Sequence, residues 1–571
     1  MVVADAQGTL AGGFNWVDWA VVIGLFALTH WIGTITAGKP ATIREFFLGG
    51  RKLPWYAVSA SIIATEISAV TLISLPATVF NAGGNITYLQ LGLIGLLLAR
   101  CIVALWLIPK YYEREIYSPY DYMGSALGKP ARTLTTILFS IGGVLGQAAR
   151  VYLTGIVLQV VLNDELAAFE RATGIPGLWA AIAVIGVVAI AWTWLGGMAT
   201  VIWTDAVLFL IFLTAIAFAF VTAVSNIDGG VGEVVRLGEE AGKFRFFDLE
   251  ATFARPYTIW AALIANTLVG VGAFGTDQLM AQRVFCCRNA SDAKKAMLAS
   301  YGSMLVAVAV AMVGIALYAY YQQHPLQGAA AELYAQKNDR IFPIFIVEVM
   351  PAGMRGLIIA GAFAAAISSL DSILAALSQT VMSAFVLKDV EQRTEEEERR
   401  AVRTSKLLVL GFGVLLCVIA AFCEVIQRDE RFKDVLNLAL SMPTYTQGAV
   451  LATFALAFFL GRRIDASGLL FAAPLSVLAV VSIAWHGAWT LPTLRFGCAA
   501  LLVAWVLVRL RDAEPLAWRA LRLAGLAGGC AAVLWMNSQG WVVAWPWFAP
   551  LGLVFAFSFG WALARGRREL A

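Results

Sequence analysis

Five ionisable residues interrupt otherwise apolar runs of this chain: Glu66, Arg100, Arg150, Asp205 and Asp371. A charge in such a run is costly, and it is retained where it faces a partner, a polar interior or a wet cavity. Hydroxyls gather around two of them. Glu66 lies in SASIIATEISAVTLISLP, with Ser59, Ser61, Thr65, Ser68, Thr71 and Ser74. Asp371 lies in AAAISSLDS, where Ser368, Ser369 and Ser372 fall within little more than one helical turn. Ser368 and Ser372 are four apart and share a helix face. Hydroxyl and carbonyl oxygens beside at most one carboxylate suit Na⁺, because Mg²⁺ and Ca²⁺ favour more carboxylates and waters. The competing use of a single Ser or Thr is packing between helices.

These residues need breaks in the helices that carry them. A helix that unwinds inside a membrane must satisfy its freed backbone groups locally, and small hydroxyl residues can do so. The first cluster fits that role, with Pro76 downstream marking a helix break. A second break is expected at the glycine run 270–275, after Asn266 and just before Thr276, Asp277 and Gln278. Asp205 opens its span after GGMAT, where it could bind a cation or merely cap the inner end.

The surrounding elements are membrane helices. Of 571 residues, 60% are hydrophobic and 14% charged, with a mean hydropathy of +0.77. A soluble chain of this size would need far more polar surface. Long apolar runs without alternation exclude a transmembrane β-barrel. Fifteen segments are long and apolar enough to span. With the N-terminus outside, the inner segments carry 27 of the 41 Lys and Arg, Arg283 among them, and the outer segments 11. That bias predicts an N-out, C-in orientation. The N-terminus has no basic region typical of a cleavable signal peptide. Outer loops 224–256 and 322–353 are long enough for short surface helices. The inner run 389–400 reads as a solvated helix extension with i,i+4 charge pairs.

The seven Cys do not form a disulfide framework, and Cys286 and Cys287 fall in a basic inner loop where thiols stay reduced. Three widely spaced His offer no zinc spacing. No nucleophile constellation points to a membrane enzyme, no cofactor is implied, and the small net charge of +4 gives no sign of nucleic-acid binding. The two interrupted spans, second and seventh, lie five spans apart and therefore run in opposite directions. Inverted five-helix repeats with a midplane site between broken helices have that arrangement.

Four motifs then occur in order: EFFLGGRKLPWYAVSASIIATEISAVTLISLPA, GGMATVIWTD, GTDQLMAQRVFCCRNASDAKKA and AAAISSLDSILAALSQT. Over residues 15–460 the chain resembles the sodium:solute symporter family, which includes sodium/glucose, sodium/proline, sodium/iodide and sodium/sialic acid cotransporters. The resemblance implies an all-α polytopic membrane protein with a LeuT-type core and extra N- and C-terminal helices. Residues 1–53 would hold the first span and inner loop, 54–223 the first repeat, 224–256 an outer loop, 257–460 the second repeat, and 461–571 accessory spans. The implied function is sodium-coupled symport of a small polar organic solute by alternating access. Its partners would be the solute, Na⁺ as coupling ion and the lipid bilayer of the cell (inner) membrane.

The family's main sodium site maps onto Ala64, Ile67, Ala365, Ser368 and Ser369. A second cation site found in some members maps onto Asp205, Asp371 and Ser372. Asp371 replaces a hydroxyl residue there, so the position could take a second cation or a proton. Substrate contacts would come from Thr65, Glu66, Ser68, Thr71, Gln90, Arg150 and Asn266. Gln90 stands where sodium/galactose members carry a sugar-binding Glu, which weakens a sugar reading. Arg150 could grip a carboxylate by a bidentate fork, as an Arg on that helix does in sialic acid transporters, or could pair with Glu66. A proton-coupled carrier on the same fold and a membrane solute sensor are the alternatives.

Overall fold

The hydroxyl-rich second segment folds as two helices rather than one. In the computed structural model, α2 (Trp55–Glu66) stops where Ile67 leaves helical geometry at φ −78°, ψ 102°. The chain resumes as α3 (Ala69–Phe80), and the two parts are bent by 53°. A helix that stops leaves its last carbonyls without intrahelical donors, so this break exposes oxygens in mid-segment. Pro76 does not mark the break: α3 runs through it. Gly314 lies so close by that an added Cβ would be 2.7 Å from the Pro76 carbonyl oxygen.

The structure describes all residues except 1–14, 38–41, 68, 114–115, 117, 196–197, 387–393, 427–436, 438–439, 462–463, 465–467, 486–488, 510–514 and 565–571. Ser68, Gly196, Gly197 and residues 389–393 of the acidic–basic run therefore lie outside the described residues. The described part of that run begins the helix Glu395–Ile426, where Arg399 pairs with Glu395 one turn earlier.

The first half also comprises α1 (Trp16–Ala37), α4 (Ile86–Glu113), α5 (Lys129–Val161), α6 (Gly177–Leu195) and α7 (Met198–Ser225). The second half comprises α8 (Ala261–Thr276), α9 (Gln278–Phe285), α10 (Ala290–Gln323), α11 (Met354–Val381), α12 (Glu395–Ile426) and α13 (Thr444–Leu460). Four more follow: α14 (Leu469–Ala484), α15 (Thr490–Arg509), α16 (Leu516–Ser538) and α17 (Phe548–Leu563). Among the described residues, nine helices are long and apolar enough to cross a membrane, or up to eleven if two bent pairs each count as one. Four shorter apolar helices accompany them.

The second break lies at a different place from the glycine run. Residues 272–276 stay wound as a π-helical turn, and the chain turns extended at Asp277, φ −81°, ψ 128°. The Asp277 carboxylate then caps α9 by accepting from the Leu279 N–H at 2.8 Å. The glycines serve packing instead: a Cβ on Gly270 would lie 2.6 Å from that of Ala99.

Segment 224–256 holds the helix Gly230–Glu240, and 322–353 holds Gly328–Gln336 and Ile341–Glu348. The last of these is buried rather than superficial. The N-terminal helix is fixed to the core by charge: the Asp18 carboxylate accepts from the Gly353 and Gly356 N–H groups at 2.7 and 3.0 Å, capping α11. The C-terminal helices pack on the core's edge, with α17 against α13 and α14.

Candidate functional site

The two breaks face a central cavity of about 260 Å³. Glu66, Ile67 and Thr71 reach it from the first break, Gln147 and Arg150 from α5, and Asn266 and Asp277 from α8 and the second break. The structure thus brings five of the sequence-derived residues to one space. Thr65 and Gln90 do not line it. The Thr65 hydroxyl donates to the Ser61 carbonyl at 2.8 Å. Gln90 is buried, its amide donating to the Thr87 and Tyr257 carbonyls at 3.2 and 3.1 Å.

Glu66 pairs with Arg100, not with Arg150. Arg100 is fully buried, donates to Ser300 Oγ at 3.1 Å and Ser303 Oγ at 3.2 Å, and lies 4.1 Å above the Phe274 ring. Its charge is therefore matched on one side by a carboxylate and on another by a π face. One Glu66 oxygen, Oε1, has no hydrogen-bond partner. Arg150 differs: it lines the cavity with no carboxylate within 4.0 Å among the described residues. Three residues earlier on α5, the buried Gln147 Oε1 likewise has no hydrogen-bond partner.

A second polar assembly lies off the cavity. Ala64, Ile67 and Ser368 border a void of about 10 Å³, room for one ion or water, which Leu208, Phe209 and Phe212 also line. Ser369 is buried with a hydroxyl that no hydrogen bond satisfies. Ala365 lies one turn earlier on the same helix, α11. Such an orphaned hydroxyl, next in sequence to the void-lining Ser368, suits a small cation.

Next to it, Asp205 is fully enclosed, so it neither caps the inner end nor reaches for solvent. Its Oδ2 accepts from Ser61 Oγ at 2.5 Å and its Oδ1 from Ser368 Oγ. Asp371 is buried beside it, accepting from Ser372 Oγ at 3.1 Å. Among them sits the guanidinium of Arg283, fully buried, 3.1 Å from Asp205 Oδ2 and 2.9 Å from Ser61 Oγ, and bonded to Ser372 Oγ. The sequence places Arg283, Cys286 and Cys287 in an inner loop; the structure buries all three. The segment after the break is only eight residues long and carries Gln278, Gln282 and Arg283, so a hydropathy window passes over it. The one usable signal is that a broken span has a second half.

Two broken helices enclosing a partly charged cavity, with hydroxyls and two buried carboxylates beside it, define a membrane carrier. The family model for the sodium:solute symporter family matches residues 46–474, and the chain belongs to that family. Sodium-coupled monocarboxylate transporter 2 of Bos taurus is 26% identical over 449 residues, covering 77% of this chain and 68% of that protein. The sodium/sialic acid symporter SiaT of Proteus mirabilis (strain HI4320) is 26% identical over 478 residues, covering 82% of this chain and 90% of that protein. A solved substrate-bound outward-open structure of a Na⁺-coupled sialic acid symporter shares the fold, with a TM-score of 0.72 at 22% identity, covering 97% of this chain and 99% of that one. The chain is an integral multi-pass membrane protein and a sodium-coupled solute symporter, with Na⁺ as coupling ion.

Proposed function

We propose that this symporter carries a hydroxylated organic carboxylate, gripped by Arg150. The observation that carries this reading is the Arg150 guanidinium in the central cavity with no carboxylate within 4.0 Å among the described residues. A cation held in a low-dielectric cavity favours an anion of the right shape, and a guanidinium binds carboxylate through two parallel hydrogen bonds. Gln147 Oε1 and the Asp277 carboxylate are acceptors on the same cavity, suited to ligand hydroxyls. The named cargoes of the two relatives, monocarboxylate and sialic acid, are both carboxylates. Thr71 and Asn266 complete the ligand's surroundings, while Glu66 is held by Arg100 and tunes the local field.

Na⁺ would sit between the break after α2 and the helix α11. Its oxygens would be the carbonyls of Ala64, Ile67 and Ala365 and the hydroxyls of Ser368 and Ser369. The small void at Ala64, Ile67 and Ser368 and the unsatisfied Ser369 hydroxyl support that assignment. Bound there, the ion joins two helices that must separate for the other side to open. It drives transport only insofar as it binds the two states differently. The fifteen apolar segments are assigned as fifteen spans, N-out and C-in, in the cell (inner) membrane. The repeats occupy 54–223 and 257–460, with 461–571 accessory.

The test is thermal stability of the purified protein in NaCl and in KCl, alone and with matched sets of carboxylates and uncharged polyols. The reading expects stabilisation by Na⁺ and a further gain from a carboxylate in NaCl only, since each ligand stabilises the state it binds. A gain from a polyol but from no carboxylate would overturn the substrate class.

A further inference from the structure

Arg283 joins four helices at one point. From α9 it donates to Ser61 on α2 at 2.9 Å, to Asp205 on α7 at 3.1 Å, and to Ser372 on α11. Its own helix supplies the Leu279 carbonyl at 2.8 Å. In the proposed orientation α2 and α9 are the inner halves of the two broken spans. They are also clipped to each other, the Leu53 N–H donating to the Cys286 carbonyl at 3.1 Å. Arg283 therefore ties both inner half-helices to α7 and α11.

The same assembly touches the sodium position. Ser368 donates its hydroxyl proton to Asp205 Oδ1, while Arg283 holds Oδ2. A hydroxyl has one proton and two lone pairs. With the proton committed to Asp205, the Ser368 oxygen presents lone pairs for a cation. Arg283 and Asp205 are both fully buried, so neither can leave the other until water or another cation enters. We infer that Arg283 is a positioning residue: through Asp205 and Ser368 it couples sodium occupancy to closure of the inner side. Sodium holds Ser368 in the orientation that completes the brace. By reciprocity, a broken brace weakens sodium binding. The inference rests on the sodium site proposed above.

Cys286 and Cys287 provide a reporter, since both are buried and lie three and four residues beyond Arg283. In inside-out vesicles, a membrane-impermeant maleimide is added in NaCl or KCl, and modification of these two thiols is followed by peptide mass spectrometry. In the wild type, Na⁺ should slow labelling by at least about fivefold, the lower end of typical coupling between sites. In Arg283→Gln, labelling should be fast in both salts. Arg283→Lys keeps the charge without the three-way bridge and should restore part of the protection. Asp205→Asn, nearly isosteric, carries the test if Arg283→Gln does not insert.

A purely structural role for Arg283 would lower stability in both salts and leave the Na⁺/K⁺ labelling ratio unchanged. That result, with wild-type protection present, overturns the inference alone. Absence of both Na⁺ protection and Na⁺ stabilisation in the wild type overturns the sodium-site reading itself.

Discussion

Arg100, fully buried, closes on Glu66 where α2 ends, so the first break is held by a charge pair rather than by packing alone. The rest of the guanidinium is taken by Ser300, Ser303 and the Phe274 ring. Removing Arg100 leaves the Glu66 carboxylate unpaired at the cavity wall, where it is 16% exposed, so the cost falls below the ~3–5 kcal/mol of a fully buried pair. Arg100→Ala should lower the unfolding midpoint accordingly. Glu66→Gln, whose partner retains two serines and a π face, should cost less. A double-mutant cycle by thermal unfolding measures the coupling; additive effects would mean that the two side chains do not interact.

Arg150 tests the substrate reading. Hydrogen bonds to a charged group contribute about 1.5–3 kcal/mol, which corresponds to roughly 10- to 150-fold in affinity. Arg150→Gln should weaken carboxylate binding by that factor and leave stabilisation by Na⁺ alone in place. Arg150→Lys should recover little, because an ammonium lacks the planar fork. Ligand titration by calorimetry in NaCl separates these outcomes. Unchanged affinity in Arg150→Gln would place the carboxylate elsewhere.

How far the sequence reached depends on length scale. The apolar segments and the two interrupted ones were legible because apolar runs and hydroxyl clusters are local signals, as at Ser61 through Thr71. Glu66, Arg150, Asp205 and Asp371 stood out for the same reason, each being a charge in an apolar run. What a charge pairs with is a long-range fact. Glu66 and Arg100 are 34 residues apart, and Arg283 reaches Asp205 across 78. Nothing local distinguishes those partners from Arg150, which sequence reasoning set against Glu66 as readily as against a ligand. Glycine was misleading at 270–275, where close contact with α4 rather than unwinding accounts for Gly270 and Gly275.

Lys243 yields a pH prediction outside the spans. It is buried in the segment between α7 and α8, its ammonium donating to the Phe80 and Asn81 carbonyls at 3.0 and 2.7 Å, at the end of α3. Burial pushes its pKa down to about 8. The unfolded chain keeps that proton to about pH 10.4. Between those values the unfolded state binds more protons, so the contribution of Lys243 to stability rises with pH from about 8 to about 10 and is flat below. Lys243→Gln should remove that rise. The difference between wild-type and variant unfolding midpoints, followed from pH 7 to 10, checks the sign; a difference that shrinks with pH would contradict it.

Ser369 tests the sodium site without touching the Arg283 brace, since its hydroxyl makes no hydrogen bond in the structure. Ser369→Ala removes one proposed oxygen ligand and one unsatisfied buried polar atom. In KCl the variant should therefore match or exceed the wild type in stability. In NaCl it should gain less. At sodium one hundred times its dissociation constant, binding adds about 2.7 kcal/mol, and a tenfold weaker site forfeits about 1.3 kcal/mol of it. Unfolding midpoints in the two salts give both numbers from one preparation. Equal loss of stability in NaCl and KCl would assign Ser369 to packing, whereas a loss confined to NaCl would assign its hydroxyl to the ion.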